Sequence, residues 1–292
     1  MQFFSIRDIE NLSGIKAHTL RIWEQRYKLI VPARKESMHR QYSNDDLKQI
    51  LKVSYLYHRG YKIYRIARMS GVEIDKLSLE YAKDSNFDVF INQFIESALD
   101  LDQERFDQVF RSLLAHIGFE KAMLHVVYPF LERLGMLWMT GNFLPAQEHF
   151  SSHLIRKQIM LDTEKINTVP TSTQEAIILF TPEGEFHEIP ILLIANFLRK
   201  NGFKVVYFGT NLSMDTLAGY ADRHPGDALY FHVLTNFTDL KPDGYISMLS
   251  ERFPGRKIYV SGPLSKEITL DLPGLQILHS MNEVRMLKPG KA

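Results

Sequence analysis

The chain has 292 residues and no cysteine, and its charge is nearly balanced, with 35 Lys and Arg against 34 Asp and Glu. The lack of cysteine excludes disulfides, thiolate metal sites and a thiol redox switch. The hydrophobic fraction of 45% and the charged fraction of 24% are those of a globular protein, and the length leaves room for two or three domains.

The sequence carries no sign of a targeting or membrane segment. The first ten residues include charges and lack an apolar core of signal-peptide length. The longest largely apolar run, Ile189 to Leu198, is far shorter than the roughly 20 residues that a membrane helix needs. We therefore expect a cytoplasmic protein with no membrane partner.

The charges are unevenly distributed along the chain. Residues 1–70 hold 14 Lys and Arg against 6 Asp and Glu, whereas residues 71–292 hold 21 against 28. A basic N-terminal part on an acidic body is typical of a protein whose N-terminal part meets phosphate. This imbalance predicts double-stranded DNA as a partner.

Residues 1–76, which we call the head, have the pattern of a winged helix-turn-helix domain. Apolar spacing, caps and stop residues predict helices over Ser5 to Gly14, from about Thr19, over Ser43 to Gly60 and over Ile63 to Met69. A short basic hairpin, the wing, follows Pro32. We expect Trp23 to anchor the second helix in the core while its cationic neighbours face outward.

The second helix and the wing carry the candidate DNA contacts. In this layout the helix enters the major groove, the wing lies alongside, and cations bind phosphates. The candidate residues are Arg21, Arg26 and Lys28 on the helix and Arg34, Lys35, His39, Arg40 and Tyr42 on the wing. The alternative, a merely solvated cationic face, is disfavoured by the charge imbalance.

The middle of the chain predicts a bundle. The helical pattern breaks at Gly71 and again around Asp84 to Asn86, which indicates a linker after the head. Apolar residues then recur at helical spacing through residues 87–166, enough for four helices with short connections.

Residues 174–290 alternate between β-rich and helical runs. The predicted strands are Ala176 to Phe180, Lys204 to Gly209, Ala228 to Val233, Lys257 to Val260 and Leu275 to His279. The predicted helices are Ile189 to Lys200, Met214 to Arg223, Tyr245 to Arg252 and Asn282 to Leu287. The fold class is therefore multi-domain α and α/β, with a C-terminal doubly wound parallel sheet whose ligands bind at the carboxyl ends of the strands.

Two stretches are candidates for a ligand site, WMTGNFLPAQEH over residues 138–149 and EGEFHEIP over residues 183–190. Each has a simpler explanation by itself. A lone Trp in a bundle is usually a core residue, and His187 in a strand-to-helix loop is often only solvated. His149 and His153 with Glu148 resemble a metal site, but the sequence fixes no third ligand position.

Several motifs together resemble a known family. The runs FSIRDIENLSGIKAHTLRIWEQRY, HRQYSNDDL and HRGYKIYRIARM resemble the DNA-binding domain of the MerR family over about the first 75 residues. A Trp, nine residues and Glu-His in a bundle, followed by Glu-x-His at the first βα turn, resemble a cobalamin-binding module. The whole chain resembles the light-sensing MerR-family repressors of the CarH and LitR type.

The resemblance implies a ligand and roles for particular residues. The ligand would be a cobalamin, such as adenosylcobalamin or methylcobalamin. His187 would displace its nucleotide base and ligate the cobalt, and Glu185 would orient that imidazole. The remaining cofactor-binding candidates are Trp138, Met139, Glu148 and His149 over the upper face and Ser261 and Gly262 beside the nucleotide tail.

This sequence departs from the family pattern at three places. Pro190 replaces the glycine of the turn motif, Ser261-Gly262-Pro263 replaces a glycine pair, and Met139 replaces the histidine of light-sensing members. We expect a non-enzymatic regulator that represses transcription as a homo-oligomer, dimer or tetramer, under cobalamin control. The alternatives are a ligand-free module used for oligomerisation or antirepressor binding, and a corrinoid-dependent enzyme subunit. The latter is disfavoured because no room remains for a barrel of about 250 residues.

Overall fold

The protein is described here by a computed structural model that covers residues 3–30, 32–34, 40–81, 87–139, 144–167, 176–224, 226–234 and 241–289. The chain divides into two compact units, Met1–Leu154 and Ile155–Ala292. The helices are α1 Ile6–Ser13, α2 Ala17–Tyr27, α3 Asn44–His58, α4 Ile63–Ile66, α5 Gly71–Tyr81, α6 Asp88–Asp100, α7 Gln103–Ile117, α8 Phe119–Ala122, α9 Tyr128–Met139, α10 Pro145–Thr163, α11 Glu188–Lys200, α12 Met214–Ala221, α13 Pro242–Arg252 and α14 Met281–Met286. Among them, none combines the length and apolar character needed to span a membrane.

The caps that the sequence predicted in the head are present. Ser5 and Asp8 form a capping box at the start of α1, and Gly14 ends the helix in the left-handed region with φ 69°. Ser43 and Asp46 form the same box before α3. The start of α2 was predicted less well, because its N-cap residue makes no side-chain cap hydrogen bond that a sequence pattern could reveal.

The wing is a short antiparallel pair, β1 Ala33–Arg34 and β2 Arg40–Gln41, with Arg34 opposite Arg40. A bridge between Phe4 and Tyr42 ties its return strand to the N-terminal segment. Two candidate DNA contacts, Lys35 and His39, lie outside the described residues.

The prediction of a linker beginning at Gly71 is wrong, because residues 71–81 form the helix α5. A capping box starts this helix, with Glu73 accepting from the backbone and hydroxyl of Ser70. Gly71 occupies the first helical position, and Ile74 is buried. The cap thus offsets the glycine that broke the apolar pattern. The second predicted break, Asp84 to Asn86, lies outside the described residues.

The predicted four-helix bundle is confirmed as α6, α7, a long third helix and α10. The third helix runs from Phe119 to Met139 and includes a π-helical turn, Met123–Val127, between α8 and α9. The core of the bundle is aromatic, with Phe94, Phe106 and Phe130 in mutual contact. The apolar residues that recur at helical spacing in the sequence line this core.

Within the first unit, α3 of the head packs on α6 of the bundle. Lys48 pairs with Asp100 at 2.5 Å, and the side-chain amide of Asn92 donates to the Leu51 carbonyl at 3.3 Å. The buried carboxylate of Glu96 faces Lys52 at 3.7 Å. Polar bonds of this kind fix the register of the two helices because an unpaired buried charge would be costly.

The second unit contains the predicted parallel sheet. Its strands are β3 Ile177–Pro182, β4 Val205–Leu212, β5 Ala228–His232, β6 Ile258–Ser261 and β7 Leu275–Leu278, in the spatial order β4-β3-β5-β6-β7. All four pairings are parallel. Helices α11 and α14 pack on one face, and α12 and α13 on the other. The strand order reverses between β3 and β5, so the carboxyl ends of these two strands form a switch point suited to ligand binding.

Candidate functional site

The second helix of the head presents three cations to solvent. Arg21, Arg26 and Lys28 are exposed, and Lys28 ends the helix in the left-handed region with φ 50°. Trp23, on the opposite side, is buried with its ring 5.0 Å from that of Tyr57. The expected division between a core-facing aromatic and outward cations is confirmed, which leaves a basic helical face available to a polyanion.

The wing is held to this helix by a carboxylate that the sequence analysis did not single out. Glu24 of α2 accepts a hydrogen bond from Nε of Arg40 at 2.8 Å and another from the hydroxyl of Tyr42. The bond to Glu24 raises the pKa of Arg40 above its usual range, so the guanidinium stays charged. Glu24 thus orients Arg40 through one N–H donor of its guanidinium, a group that can bind phosphate through several donors.

The structure assigns Tyr42 a role different from the predicted DNA contact. Its side chain is fully buried, and burial together with the bond to Glu24 raises the pKa of its hydroxyl. Because the Tyr42 side chain has no exposed surface, it positions the wing strand and does not reach a duplex. Arg34 lies in β1 opposite Arg40, and its contact with DNA stays a prediction.

In the second unit, Glu185 and His187 meet at the β3–α11 turn. Nδ1 of His187 lies 2.6 Å from Oε1 of Glu185, and the backbone N–H of His187 donates to the same oxygen at 3.0 Å. The Glu185 side chain is 1% exposed, whereas that of His187 is 44% exposed. The imidazole is therefore fixed from below by a buried carboxylate and opens to solvent at the mouth of the sheet.

The other oxygen of Glu185 ties this turn to the neighbouring strand. Oε2 accepts from the backbone N–H of Leu234, two residues after β5, at 3.1 Å. The Glu185 carbonyl accepts from the Thr181 hydroxyl at 2.6 Å and from the Asn211 backbone at 3.1 Å. One residue thus fastens the ends of β3, β4 and β5, which makes the switch point rigid.

This geometry gives His187 the chemistry of a metal ligand. A carboxylate that accepts from Nδ1–H fixes the tautomer in which Nε2 carries the lone pair, and it raises the basicity of that nitrogen. A neutral imidazole in this state is a good ligand for a transition metal such as cobalt. The donor set at the turn therefore fits a cobalt centre such as that of a cobalamin, which His187 would hold through Nε2.

The position of Pro190 is compatible with this turn. Pro190 is the third residue of α11, and the N–H groups of the first turn have no partner within a helix. The first residue of the helix, Glu188, pairs with Arg156 at 2.9 Å and accepts from the Tyr207 hydroxyl at 3.3 Å. Proline in place of the family's glycine is therefore compatible with the helix that has His187 at its N-cap.

Ser261 is the last residue of the strand β6, and Gly262 follows it at the same end of the sheet. Gly262 has φ 112°, and a Cβ there would lie 2.1 Å from the carbonyl oxygen of Val233. Only glycine fits, because the backbones after β5 and β6 approach each other closely. Ser261 is buried and bonded to Tyr230 and His232, each at 2.9 Å. Their contact with a nucleotide tail stays a prediction.

His232, at the end of β5, is a buried polar residue at this end of the sheet that the sequence analysis did not single out. Burial lowers its pKa to about 4, so the imidazole is neutral at physiological pH. Its Nδ1 faces Ser261, and its Nε2 has no hydrogen-bond partner in the described part of the chain. No local pattern marks this residue, because its burial depends on the pairing of β5 with β6.

The bundle candidates lie in α9 and α10 of the first unit. Trp138 and Met139 are the last two residues of α9. Glu148 and His149 are in the first turns of α10, where Oε2 of Glu148 lies 2.8 Å from Nδ1 of His149. Across the described ranges, no group of three His, Asp or Glu residues is arranged to hold a metal ion. The roles of these four residues toward a ligand stay predictions.

Comparisons with known proteins agree with both parts of this description. Residues 4–71 match the MerR HTH family regulatory protein model, and residues 90–160 match the B12 binding domain model. The chain is 24% identical over 221 residues to the HTH-type transcriptional repressor CarH of Myxococcus xanthus, covering 73% of each chain. It is also 24% identical over 216 residues to CarA of the same organism, covering 73% of this chain and 70% of CarA.

Among solved structures, the monomethylamine corrinoid protein of Methanosarcina barkeri has a similar fold. The TM-score is 0.50 at 15% identity, over 67% of this chain and 95% of that one. This likeness concerns the fold of the bundle and sheet. The chain thus carries, in this order, a match to a MerR-type helix-turn-helix and a match to a B12 binding domain.

Proposed function

We propose that this protein is a transcriptional repressor whose cobalamin-loaded state controls its self-assembly and, through it, its occupancy of DNA. The observation that carries the ligand half is the imidazole of His187 held at 2.6 Å by the buried Glu185. The observation that supports the DNA half is the exposed cationic face of α2 beside a wing that Glu24 holds in place. The curated relatives are both named as repressors, which favours repression over activation.

At the ligand site the chain would supply a fixed imidazole nitrogen. When bound, cobalamin supplies a cobalt centre that takes one nitrogen ligand from the protein. His187 presents Nε2, and Glu185 keeps Nδ1 protonated and the ring in one orientation. The bond from Leu234 to Glu185 prevents the turn from moving away from β5. The site is therefore preorganised, and little ordering has to accompany binding.

At the DNA site the chain supplies cations on two elements. We propose that Arg21, Arg26 and Lys28 bind the groove and its phosphates from α2. Arg34 and Arg40, together with Lys35 and His39, would bind the flanking backbone from the wing. Such contacts make affinity fall steeply as salt rises, because each neutralised phosphate releases counterions.

Oligomerisation would connect the two sites. A dimer or tetramer holds several weak DNA-binding heads near one operator, so each additional contact forms at high effective concentration. A ligand that favours one assembly state shifts DNA occupancy by its differential affinity for the two states. We propose a regulator without enzymatic activity, and the same module would offer a surface for a protein antirepressor.

The ligand proposal is tested by mixing purified protein with adenosylcobalamin in the dark and separating the mixture by size. Co-elution of protein and red colour is expected, with an absorption spectrum typical of cobalt ligated by imidazole. His187→Ala should shift the spectrum toward cobalt without that ligand, and His224→Ala, at an exposed histidine of the same unit, should not. A colourless wild-type peak would favour the ligand-free alternative, in which the module serves assembly alone.

A further inference from the structure

One face of α6, the first helix of the bundle, is polar along its whole length. Asp88, Asn92, Glu96 and Asp100 recur every four residues, and this spacing places them on one side of the helix. Asn92 and Glu96 are buried, with 7% and 2% of their surface exposed. Buried polar groups are costly unless they are paired, so their partners show which elements this face is built to contact.

The head provides partners for three of these four residues. Lys48 of α3 pairs with Asp100 at 2.5 Å. One helical turn later, Lys52 lies 3.7 Å from Glu96. The side-chain amide of Asn92 donates to a backbone carbonyl of α3 at 3.3 Å. The order of the ion pairs is reversed between the two helices, so α3 and α6 run antiparallel and dock in one register.

Other helices of the bundle bind the same polar face. Arg133 of α9 donates to Oδ1 of Asn92 at 3.2 Å and to Asp88 at 2.7 Å. Arg105 of α7 pairs with the carboxylate of Glu96. Asn92 and Glu96 are therefore each shared between a bundle helix and the head. Because of this sharing, a shift of α9 against α6 changes a hydrogen-bonded network that also holds α3.

Arg133 connects this interface with the end of the bundle that is predicted to cover the ligand. It lies on the same helix as Trp138 and Met139, and about 7.5 Å along the helix axis separates it from Trp138. A short helix moves largely as a rigid body, so a displacement at Trp138 also displaces Arg133.

The helix that carries Arg133 contains a point at which such a displacement can begin. The backbone N–H of Tyr128 donates to the Met123 carbonyl, five residues earlier, and closes a π-helical turn. Pro129 follows and has no N–H for the carbonyl four residues before it. Helices bend at prolines and at π-helical turns, because the regular backbone bonds are interrupted there. These two features let α9 pivot against α6 without unfolding.

We propose that Arg133 is a positioning residue that makes the docking of the head depend on the ligand state of the bundle. Its guanidinium bridges Asp88 and Asn92 in one position of α9, and Asn92 in turn holds α3. A pivot of α9 at the ligand releases this bridge and lets the head change its orientation, as in other networks with two discrete arrangements. This route acts within one chain and is separate from assembly. It rests on the proposed cobalamin function, which supplies the signal.

The distance between two spin labels tests this coupling. Because the chain has no cysteine, Asn11→Cys in α1 of the head and Gln103→Cys in α7 of the bundle, both at exposed positions, give one labelled pair. Full-length labelled protein is mixed with excess unlabelled protein and measured in the dark, with and without saturating adenosylcobalamin. We expect binding to shift the distance by about 2 Å or more, the size of helix shifts at switching interfaces.

Three substitutions in the labelled protein identify the residue that carries the shift. Arg133→Met should abolish the shift and leave adenosylcobalamin affinity, measured by absorbance, close to that of wild type. Arg133→Lys keeps the charge but lacks the planar fork that reaches two acceptors, so it should also lose most of the shift. Arg111→Met, at an exposed arginine of the same bundle, is the matched control and should keep the whole shift.

A shift of wild-type size in Arg133→Met would overturn the inference. So would an unchanged distance in wild-type protein that has bound adenosylcobalamin, a result that leaves the proposed ligand intact. A merely structural Arg133 predicts lower stability in denaturant unfolding while the shift persists, and that outcome also overturns the coupling. Wild-type protein that does not bind adenosylcobalamin contradicts both proposals. If Arg133→Met does not fold, Arg133→Lys carries the same test.

Discussion

In each of the two units a largely buried carboxylate accepts a hydrogen bond from a basic side chain. That side chain is an arginine in the first unit and a histidine in the second. In the first unit Glu24 accepts from Arg40, and in the second Glu185 accepts from His187. A guanidinium held at Nε stays charged and keeps its other donors for phosphate. An imidazole held at Nδ1 offers, in its neutral form, a lone pair at Nε2. The same device thus gives an anion-binding group in one unit and a metal ligand in the other.

The two carboxylates also differ in the parts of the chain that they join. Glu24 joins a helix to the wing through two side chains, Arg40 and Tyr42. Glu185 joins a turn to the backbone after the adjacent strand, through Leu234. A backbone partner leaves fewer ways to relax than a side-chain partner, so we expect changes at Glu185 to have the larger functional effect.

Substitutions at His187 and at Glu185 should give the largest effects, which are losses of cobalamin affinity. His187→Ala should weaken cobalamin binding by about 100-fold or more, and Glu185→Gln by about 10- to 100-fold, the range for partners of a metal ligand. Gln can still accept from Leu234 but removes the charge that stabilises Nδ1–H. Equal affinities of Glu185→Gln and wild type in an absorbance titration would show that the carboxylate does not tune His187.

Glu24→Ala should have the next largest effect. It leaves Arg40 without its acceptor and Tyr42 with a buried unsatisfied hydroxyl, which costs about 1–3 kcal/mol of unfolding free energy. Affinity for a random-sequence DNA duplex should fall several-fold because the wing loses its anchor. Denaturant unfolding and a fluorescence binding assay measure the two effects. Unchanged stability would show that the hydrogen bonds from Arg40 and Tyr42 to Glu24 do not stabilise the wing.

Single arginines on the exposed face of α2 should have a smaller and more specific effect. Arg21→Ala and Arg26→Ala should each lower the slope of log affinity against log salt by about one, without changing stability. Binding titrations of a duplex at several salt concentrations give this slope. The exposed Arg223 in the second unit provides a control, since Arg223→Ala should leave the slope as it is in wild type.

Tyr42→Phe should have the smallest effect. The ring keeps its buried contacts and loses one hydrogen bond to Glu24, worth about 1 kcal/mol. DNA affinity should stay within about twofold of wild type, because a fully buried side chain does not touch the duplex. A large loss of affinity with little loss of stability would restore Tyr42 as a DNA contact.

Much of the fold followed from local patterns, because the relevant signals are short in range. Capping boxes at Ser5 and Ser43 located two helices of the head, and alternating β-rich and helical runs gave the parallel sheet. The prediction failed at Gly71, where a glycine suggested a break. A capping box between Ser70 and Glu73 starts a helix there instead.

The hydrogen bonds between residues of the sites were harder to predict from the sequence. Glu24 and Tyr42 are 18 positions apart, and His232 and Ser261 are 29 apart. Their bonds depend on how the wing folds back and on the register of β5 with β6. The motif Glu-x-His was readable because Glu185 and His187 lie in one turn. Long-range pairs of this kind have no periodic signal in a single sequence.

The central claim is that a cobalamin bound through His187 changes how strongly the head occupies DNA. The most direct measurement is DNA affinity of the full-length protein, at fixed salt, with and without saturating adenosylcobalamin in the dark. We expect a clear difference in the DNA affinity of wild type, together with a change of mass in solution, and no difference for His187→Ala. If wild type with bound adenosylcobalamin and wild type without it have identical DNA affinities, cobalamin does not control the DNA binding of this protein.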